Sequence, residues 1–357
     1  MKKDLKSFFA GKKVLITGHT GFKGAWLSQV LLSWGADLVG LGLKPHTEPN
    51  LFNLLALNKQ MRSYLVDIRL AKKVTEIIEK EKPEIVFHLA AQALVHDSYD
   101  HPHYTLETNI MGSVNVLEAL RQAGCARAAV FITTDKVYED SGLKRPFQES
   151  DRLGGWDPYS SSKAAAELAI ASYIKSFFNP SDYPKKHQTL IASARAGNVI
   201  GGGDWARDRL IPDIVRATFE RGSEVIVRNP NSIRPWQHVL EPLHGYLMLA
   251  AKLYQAEKSF SGGWNFGPEK NNNLTVREVL EKMFEQVGRG GYVIRPEKTK
   301  KETNLLLLNS NKAKRVLGWK PLMTTGQTIQ ATADWYKNFY QKGDSFDFTN
   351  QQINSFF

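Results

Sequence analysis

The segment that most restricts the fold is Gly18-His19-Thr20-Gly21-Phe22-Lys23-Gly24, which lies between a short β-branched run and a helical pattern. Residues 12–17 read as a strand, and Trp26, Leu27, Val30 and Leu31 recur at helical spacing. In that setting the glycines allow a tight turn, close approach of backbone to a pyrophosphate and close helix-to-strand packing. The helix N-terminus adds free N–H groups and partial positive charge. The alternative is a purely structural turn, but the strand-turn-helix context favours a dinucleotide.

The pattern then repeats. Gly35 ends the first helix, and residues 38–43 form a second apolar strand. Further strand signals at 64–66, 85–89, 129–132 and 190–194 alternate with helical patterns at 70–81, 105–121 and 160–178. Such alternation implies βαβ crossovers and a parallel sheet covered on both faces, hence an α/β fold. Residues 44–63 are expected to form a loop. After Gly201-Gly202-Gly203 the alternation fails, and a second region is expected on the edge of the first. There Thr275 and Glu278 have the form of a capping box that opens a helix to about Val287.

Composition bounds the function classes. With 357 residues, 42% of them hydrophobic, the chain can bury a sizeable core in one domain or two and is neither fibrous nor disordered throughout. The single cysteine, Cys125, closes no intramolecular disulfide and suits a reducing compartment. Residues 1–13 are basic without the apolar core of a signal peptide, and no apolar run approaches the roughly 20 residues of a membrane span. A cytoplasmic protein is expected. The net charge of +11 leaves nucleic acid, membrane and small anions open as partners.

Two positions bear on the dinucleotide. The second strand runs out in Leu43-Lys44, where a carboxylate that grips an NAD ribose is expected; either Lys44 meets the 2′-phosphate of NADP or the site holds the adenosine ribose loosely. Asp67, after the third strand, is read either as an acceptor for the adenine amino group or as a helix N-cap. Further on, Tyr159 and Lys163 stand four apart at the head of a helix, hence on one face. An ammonium beside a phenol lowers its pKa, and a drop of about three units, or about 4 kcal/mol, is needed for a base at neutral pH. Lys163 alone does not supply all of it, so the pair makes chemical sense beside an oxidised nicotinamide.

Gly18-x-x-Gly21-x-x-Gly24, Leu89-Ala90-Ala91, Tyr159-x-x-x-Lys163, Arg195-x-x-Asn198-Val-x-Gly201 and Leu317-Gly318-Trp319-x-Pro321 together resemble the extended short-chain dehydrogenase/reductase family, over residues 10 to 340 or so. The resemblance implies a Rossmann-like doubly wound parallel sheet with a smaller mixed α/β C-terminal substrate domain. The division expected is 1–193 with about 236–262 for NAD, and about 194–235 with 263–357 for a nucleotide sugar. It further implies that Gly18, His19, Thr20, Gly21, Phe22, Gly24, Asp67, Ile68, Leu89, Ala90, Ala91, Gln92, Thr108, Thr133, Tyr159 and Lys163 hold the cofactor NAD.

The end of the fifth strand discriminates among reactions, because strand C-termini face the ligand crevice. Epimerases and simple reductases of the family tend to carry small hydroxyl residues there, whereas sugar-nucleotide 4,6-dehydratases carry Thr-Asp-Glu or a variant. Thr134-Asp135-Lys136 resembles the CDP-glucose 4,6-dehydratase subgroup. The resemblance implies Tyr159 as base at the sugar 4-OH with Lys163 beside it, Thr134 at the 4-ketone, Asp135 as acid for the departing 6-OH, and Lys136 or a water for the C5 proton. Thr134, Asn198, Arg209, Leu210, Pro212 and Arg234 are then expected on CDP-glucose. The alternatives are another nucleotide-hexose dehydratase or epimerase, or a non-catalytic dinucleotide-binding regulator that holds RNA. The last leaves Tyr159 and Lys163 without a purpose. No metal is expected, since His96, His101 and His103 lie in a Pro-containing loop without partner carboxylates, and His88 suits a buried strand. Helices near 105–121 and 160–178 are expected to pair with a second subunit, and deoxysugars of surface polysaccharide such as O-antigen are the usual destination of the chemistry.

Overall fold

The computed structural model describes residues 2–140, 142, 145–269, 273–295 and 307–357. The first half contains α1 (Lys2–Phe9), β1 (Lys13–Thr17), α2 (Phe22–Ser33), β2 (Asp37–Gly42), α3 (Leu51–Leu54), β3 (Arg62–Leu65), α4 (Ala71–Glu81) and β4 (Ile85–His88). It continues through α5 (Val95–Asp100), α6 (Pro102–Leu106), α7 (Gly112–Ala123), β5 (Ala128–Ile132), α8 (Pro158–Ser176) and β6 (Leu190–Ala196). Then come β7 (Asn198–Ile200), α9 (Leu210–Val215), β8 (Val225–Val227), β9 (Ile233–His238), α10 (Leu240–Tyr254) and β10 (Gly262–Phe266). The chain closes with β11 (Asn273–Thr275), α11 (Val276–Val287), β12 (Tyr292–Ile294), α12 (Thr325–Tyr340) and α13 (Ser345–Phe356).

Alternation along each strand assigns its side chains to two cores. In β1, Val14 and Ile16 join one cluster and Leu15 the other; in β5, Ala128, Val130 and Ile132 separate in the same way from Ala129 and Phe131. Helices α1, α2 and α10 cover the first face, while α4, α7 and α8 cover the second. A sheet buried on both faces is the parallel, crossover-linked kind. Its seven strands run β10-β6-β5-β4-β1-β2-β3, every pairing parallel. The order reverses between β1 and β4, so the crevice of a doubly wound sheet opens beyond Thr17 and His88.

A second lobe holds the small sheets β11-β9-β7 and β12-β8 with α9, α11 and α12. β6 runs to Ala196, β9 spans residue 235, and β10, from Gly262, pairs with β6. Gly262-Gly263-Trp264-Asn265-Phe266 lacks an apolar run, which is why it does not read as an inner strand. Two stretches read as loops are helical. Residues 51–54 form α3, capped by the Asn50 side chain, and 95–106 form α5 and α6, with Pro102 opening the latter; the turns are too few to show a period. Residues 107–111 then make a π-helical turn leading into α7. The capping box at Thr275 and Glu278 is present, and α8 is capped by Asp157 with Pro158 in its first turn. Among the described residues no helix is long and apolar enough to cross a membrane.

Buried histidines lock the layers. Ser113 Oγ donates to Asn109 O (2.7 Å), so it accepts from His88 Nε2 (3.0 Å), and His88 Nδ1 accepts from Thr17 Oγ1 (2.7 Å). Burial pushes the His88 pKa down to about 3 and that of His238, edge-on to Trp26, also to about 3. A folded pKa below the unfolded value means that stability is fully present above about pH 6.5 and is lost as pH falls, because the unfolded chain takes the proton first. Each such imidazole costs about 1.4 kcal/mol by about pH 5.5. Urea denaturation of His238→Gln is expected to show a loss between about pH 7.5 and 5.5 smaller than that of the wild type by about this amount. Equal losses remove the assignment.

Candidate active site

The glycine turn is built by backbone contact. Gly18 has φ +74°, and a Cβ there would stand 2.7 Å from Ala90 N; one on Gly24 would stand 2.1 Å from Gly18 O. Gly18 N donates to Leu41 O (2.7 Å) and Thr20 Oγ1 to Leu43 O (2.8 Å), tying the turn to β2. Gly21, the N-cap of α2, offers no side chain to the first N–H groups of that helix. An uncapped helix start at the end of an inner strand suits a pyrophosphate.

The turn opens onto a cleft of about 910 Å³ between the sheet's C-terminal edge and the second lobe. Every residue expected on the cofactor or the substrate lines this cleft except His19. The His19 side chain is fully buried beneath the turn, its Nε2 2.6 Å from Ser63 Oγ and its ring edge-on to Phe52, in the space a side chain on Gly40 would need. Glycine spacing locates the backbone but does not say which way the intervening side chain points. Only His19's backbone remains for a ligand.

At the adenosine end, the Arg69 guanidinium grips both Asp67 oxygens at 2.8–3.2 Å and Arg69 N donates to Oδ1 (2.9 Å). Burial pushes the Asp67 carboxyl up, but Arg69 outweighs it and holds the pKa below the usual range. The N-cap reading fails, since Leu70 precedes α4. Lys44 lies on the same wall. Gln92 serves its own loop, bonding Leu94 O and Thr105 Oγ1 through Nε2 at 3.0 Å. Thr108 Oγ1 is buried on the cleft wall without a partner among the described residues. A buried orphan hydroxyl and an uncapped helix start on the walls of one cleft fit a dinucleotide.

The reacting groups meet where β5 ends and α8 begins. Thr134 caps the short turn of Asp135–Val137 by accepting from Lys136 N, its hydroxyl donates to Asp135 Oδ1 (3.1 Å), and it acts on the neighbouring Tyr159 phenol. Tyr159 is buried, and burial pushes its phenol up to about 12 despite Thr134 and the nearby Arg209 charge. The expected depression is therefore absent in the protein alone. Lys163, buried with Nζ donating to Ile132 O (3.1 Å), is itself pushed down to about 8. Asp135 is raised by burial, against the pull of Lys136, Thr134, Arg234 and Lys23, and its Oδ2 has no partner among the described residues. A buried carboxyl pushed up in this way, with one free oxygen, is suited to donate a proton. Lys136 is half-buried on the wall beside it.

On the substrate side, Arg234 is buried near Asp135, and half-buried Arg209 pairs with Asp204 at 3.0 Å. Asn198 at the start of β7 and Leu210 and Pro212 in α9 share that wall. Two cations escaped the sequence reading. Lys23, inside the glycine turn, is pushed down to about 8 by loss of water and by Arg209 and Lys163. Arg228 reaches across the cleft to His96 Nε2 (3.1 Å) and to Asp208 (3.1 Å). The place of Lys23 inside the glycine motif is a signal that could have found it; nothing in the sequence marks Arg228. Among the described residues no cluster of ligating side chains suits a metal.

The GDP-mannose 4,6-dehydratase family profile matches residues 15–332. The CDP-glucose 4,6-dehydratase of Salmonella typhimurium is 45% identical over 352 residues, 98% of each chain. A dTDP-glucose 4,6-dehydratase of the same organism is 27% identical over 351 residues, 91% of this chain and 92% of the relative. Among solved structures, the Streptomyces venezuelae dTDP-glucose 4,6-dehydratase DesIV, with NAD and TYD bound, superimposes with a TM-score of 0.77 at 20% identity, covering 94% and 99% of the two chains. The Thermus thermophilus UDP-glucose 4-epimerase in complex with NAD gives 0.77 at 25% identity, covering 91% and 99%.

Because any Cβ on Gly24 collides with the Gly18 carbonyl, Gly24→Ala is expected to weaken NADH binding at least about tenfold, or about 1.4 kcal/mol, in a fluorescence titration. Undiminished affinity in a folded variant removes the turn from the binding site.

Proposed function

This chain belongs to the GDP-mannose 4,6-dehydratase family of extended short-chain dehydrogenases/reductases, and from that premise we propose that it converts CDP-glucose to CDP-4-keto-6-deoxyglucose and water with NAD as cofactor. The observation that carries the reading is the presence, in one cleft with the Tyr159–Lys163 couple, of Asp135, whose carboxyl burial pushes up, next to Lys136. A carboxylic acid beside the oxidising site serves loss of a hydroxyl, for which an epimerase has no use. We assign NAD to the large sheet and its turn, and the nucleotide sugar to the second lobe.

The chemistry that NAD supplies when bound is removal of hydride from C4 and its return at C6. Tyr159 accepts the 4-OH proton, with the Lys163 ammonium favouring the phenolate and opposing the burial that raises its pKa. Thr134 turns its hydroxyl from Asp135 to the new 4-ketone. The ketone acidifies the C5 hydrogen, Lys136 removes it, and Asp135 gives its proton to the departing 6-OH, which leaves as water. Lys136 then returns its proton to C5 as hydride arrives at C6. The proton left on Tyr159 matches the one lost by Asp135, so an internal proton shift through Thr134 resets the site. Arg209 and Arg234 hold the diphosphate, Arg209 exchanging Asp204 for a phosphate oxygen.

The assembly we propose is a dimer formed through α7 and α8 and the segments flanking them. Support comes from the exposed apolar side chains Leu106, Met111, Leu168 and Phe177 on that side. The location we propose is the cytoplasm, in keeping with the lone Cys125, and the destination of the product is deoxysugars of surface polysaccharide such as O-antigen.

Incubation with CDP-, dTDP-, GDP- and UDP-hexoses and NAD is expected to yield a 4-keto-6-deoxy product from CDP-glucose above the others. An epimerised sugar, or NADH formed in proportion to substrate, overturns the reading. In Lys136→Met, deuterium uptake at C5 from heavy water is expected to cease while NADH still forms in a single turnover; wild-type exchange would falsify the base assignment. Light scattering of Leu168→Glu is expected to show a smaller particle than the wild type, and an unchanged mass dismisses the α8 interface.

A further inference from the structure

One turn beyond Lys163 on α8 stands Glu167, a side chain only 3% exposed, lying behind β5 and off the cleft wall. Spacing by fours aligns Tyr159, Lys163 and Glu167 on one helical face. The Glu167 carboxylate accepts from Thr133 Oγ1 at 2.5 Å, Ser193 Oγ at 2.7 Å and Arg195 Nη2 at 2.7 Å. Arg195 continues the network, Nη1 donating to Tyr138 Oη (2.8 Å), which donates to Asn265 Oδ1 (2.7 Å). One buried carboxylate thus joins α8, β5 and β6, and through Arg195 reaches β10.

A buried ion pair is a poor way to stabilise a core, since desolvation consumes most of its attraction and apolar residues of like volume often do as well. Its placement points to another task. The charges facing Lys163 are Lys23 from α2, which opposes its ammonium, and Glu167 from its own helix, which favours it. His88 from β4 is neutral, Tyr159 is an un-ionised phenol, and Asp135 beyond β5 is pushed towards its neutral form by burial. Arg195 from β6 lies on the far side of the Glu167 carboxylate and keeps it ionised although buried.

We propose that Glu167, paired with Arg195, is a positioning residue for the reaction: its carboxylate keeps the Lys163 ammonium charged and fixes Thr133 at the reacting end of β5. Burial already brings Lys163 down to about 8, so the Tyr159–Lys163 couple works close to the pH at which its ammonium fails. Without the Glu167 charge that failure comes at lower pH.

The inference rests on the dehydratase reading, and the experiment separates the two. The pH dependence of kcat/KM for CDP-glucose and that of NADH affinity by fluorescence are measured for the wild type, Glu167→Gln, Glu167→Asp and the double variant Glu167→Gln with Arg195→Met. In Glu167→Gln the alkaline limb of both profiles is expected to move at least about half a pH unit lower, about a threefold loss on that limb. The double variant, which strands no buried cation, is expected to keep the displaced limb, and Glu167→Asp to bring it back. A wild-type limb in either charge-free variant that folds overturns the proposal, and the double variant decides if Glu167→Gln does not fold. A wild type inactive on CDP-glucose overturns the dehydratase reading instead, and the NADH profile still decides the role of Glu167.

Discussion

The site depends on two backbone segments approaching closer than any side chain would allow. Gly18 lies against the main chain at Ala90, and Gly24 against the carbonyl of Gly18. These contacts set the distance between the end of β1, the end of β4 and the first turn of α2. From there the geometry is inherited: β4 leads to the wall at Leu89–Ala91, β5 brings Thr134 and Asp135 beside it, and α8 returns Tyr159 over the same edge. The scaffold is rigid where it matters, since the reacting groups stand on strand ends and on a capped helix rather than on long loops.

The second organising feature is the concentration of cations in a site with little water. Lys23, Lys163 and Arg234 converge with Arg209, itself paired with Asp204, on a region where burial pushes Asp135 towards its neutral form. Burial pushes both lysines down to about 8, and at Lys23 repulsion from the neighbouring Arg209 and Lys163 charges adds to the effect. Two diphosphate ligands relieve that repulsion on binding. The formal excess of positive charge, which in composition pointed equally to nucleic acid, membrane or small anions, therefore has part of its explanation in the cleft. Arg145, Arg152 and Arg62, by contrast, pair with surface carboxylates and have no bearing on ligands.

The inner strands β1, β2, β4, β5 and β6 are legible in the sequence because each is a short run of mostly apolar residues, and the glycine turn because its spacing carries a steric meaning. β10 is not legible: two glycines and an asparagine hide a strand whose burial is supplied by β6 and α10. His19 was assigned to the ligand by its place in the motif, whereas tertiary packing turns its ring under β2. The lowered phenol expected from Tyr159 and Lys163 rests on proximity alone, and burial, which no spacing reveals, reverses the sign. For the same reason Glu167 passes as an ordinary helical acid until Thr133, Ser193 and Arg195 are seen to surround it.

The return of β10 to the edge of the large sheet has a consequence for how the chain is assembled. β6 and β10 are neighbours in space, yet residues 197–261 separate them, and that interval holds much of the second lobe. During synthesis β6 is therefore an unprotected edge until the chain has emerged well past residue 260, and α13, packed on α2, comes later still. Loop closure over such a span is slow, and neither lobe is a separable folding unit. Truncation between β6 and β10 leaves β6 without its outer neighbour.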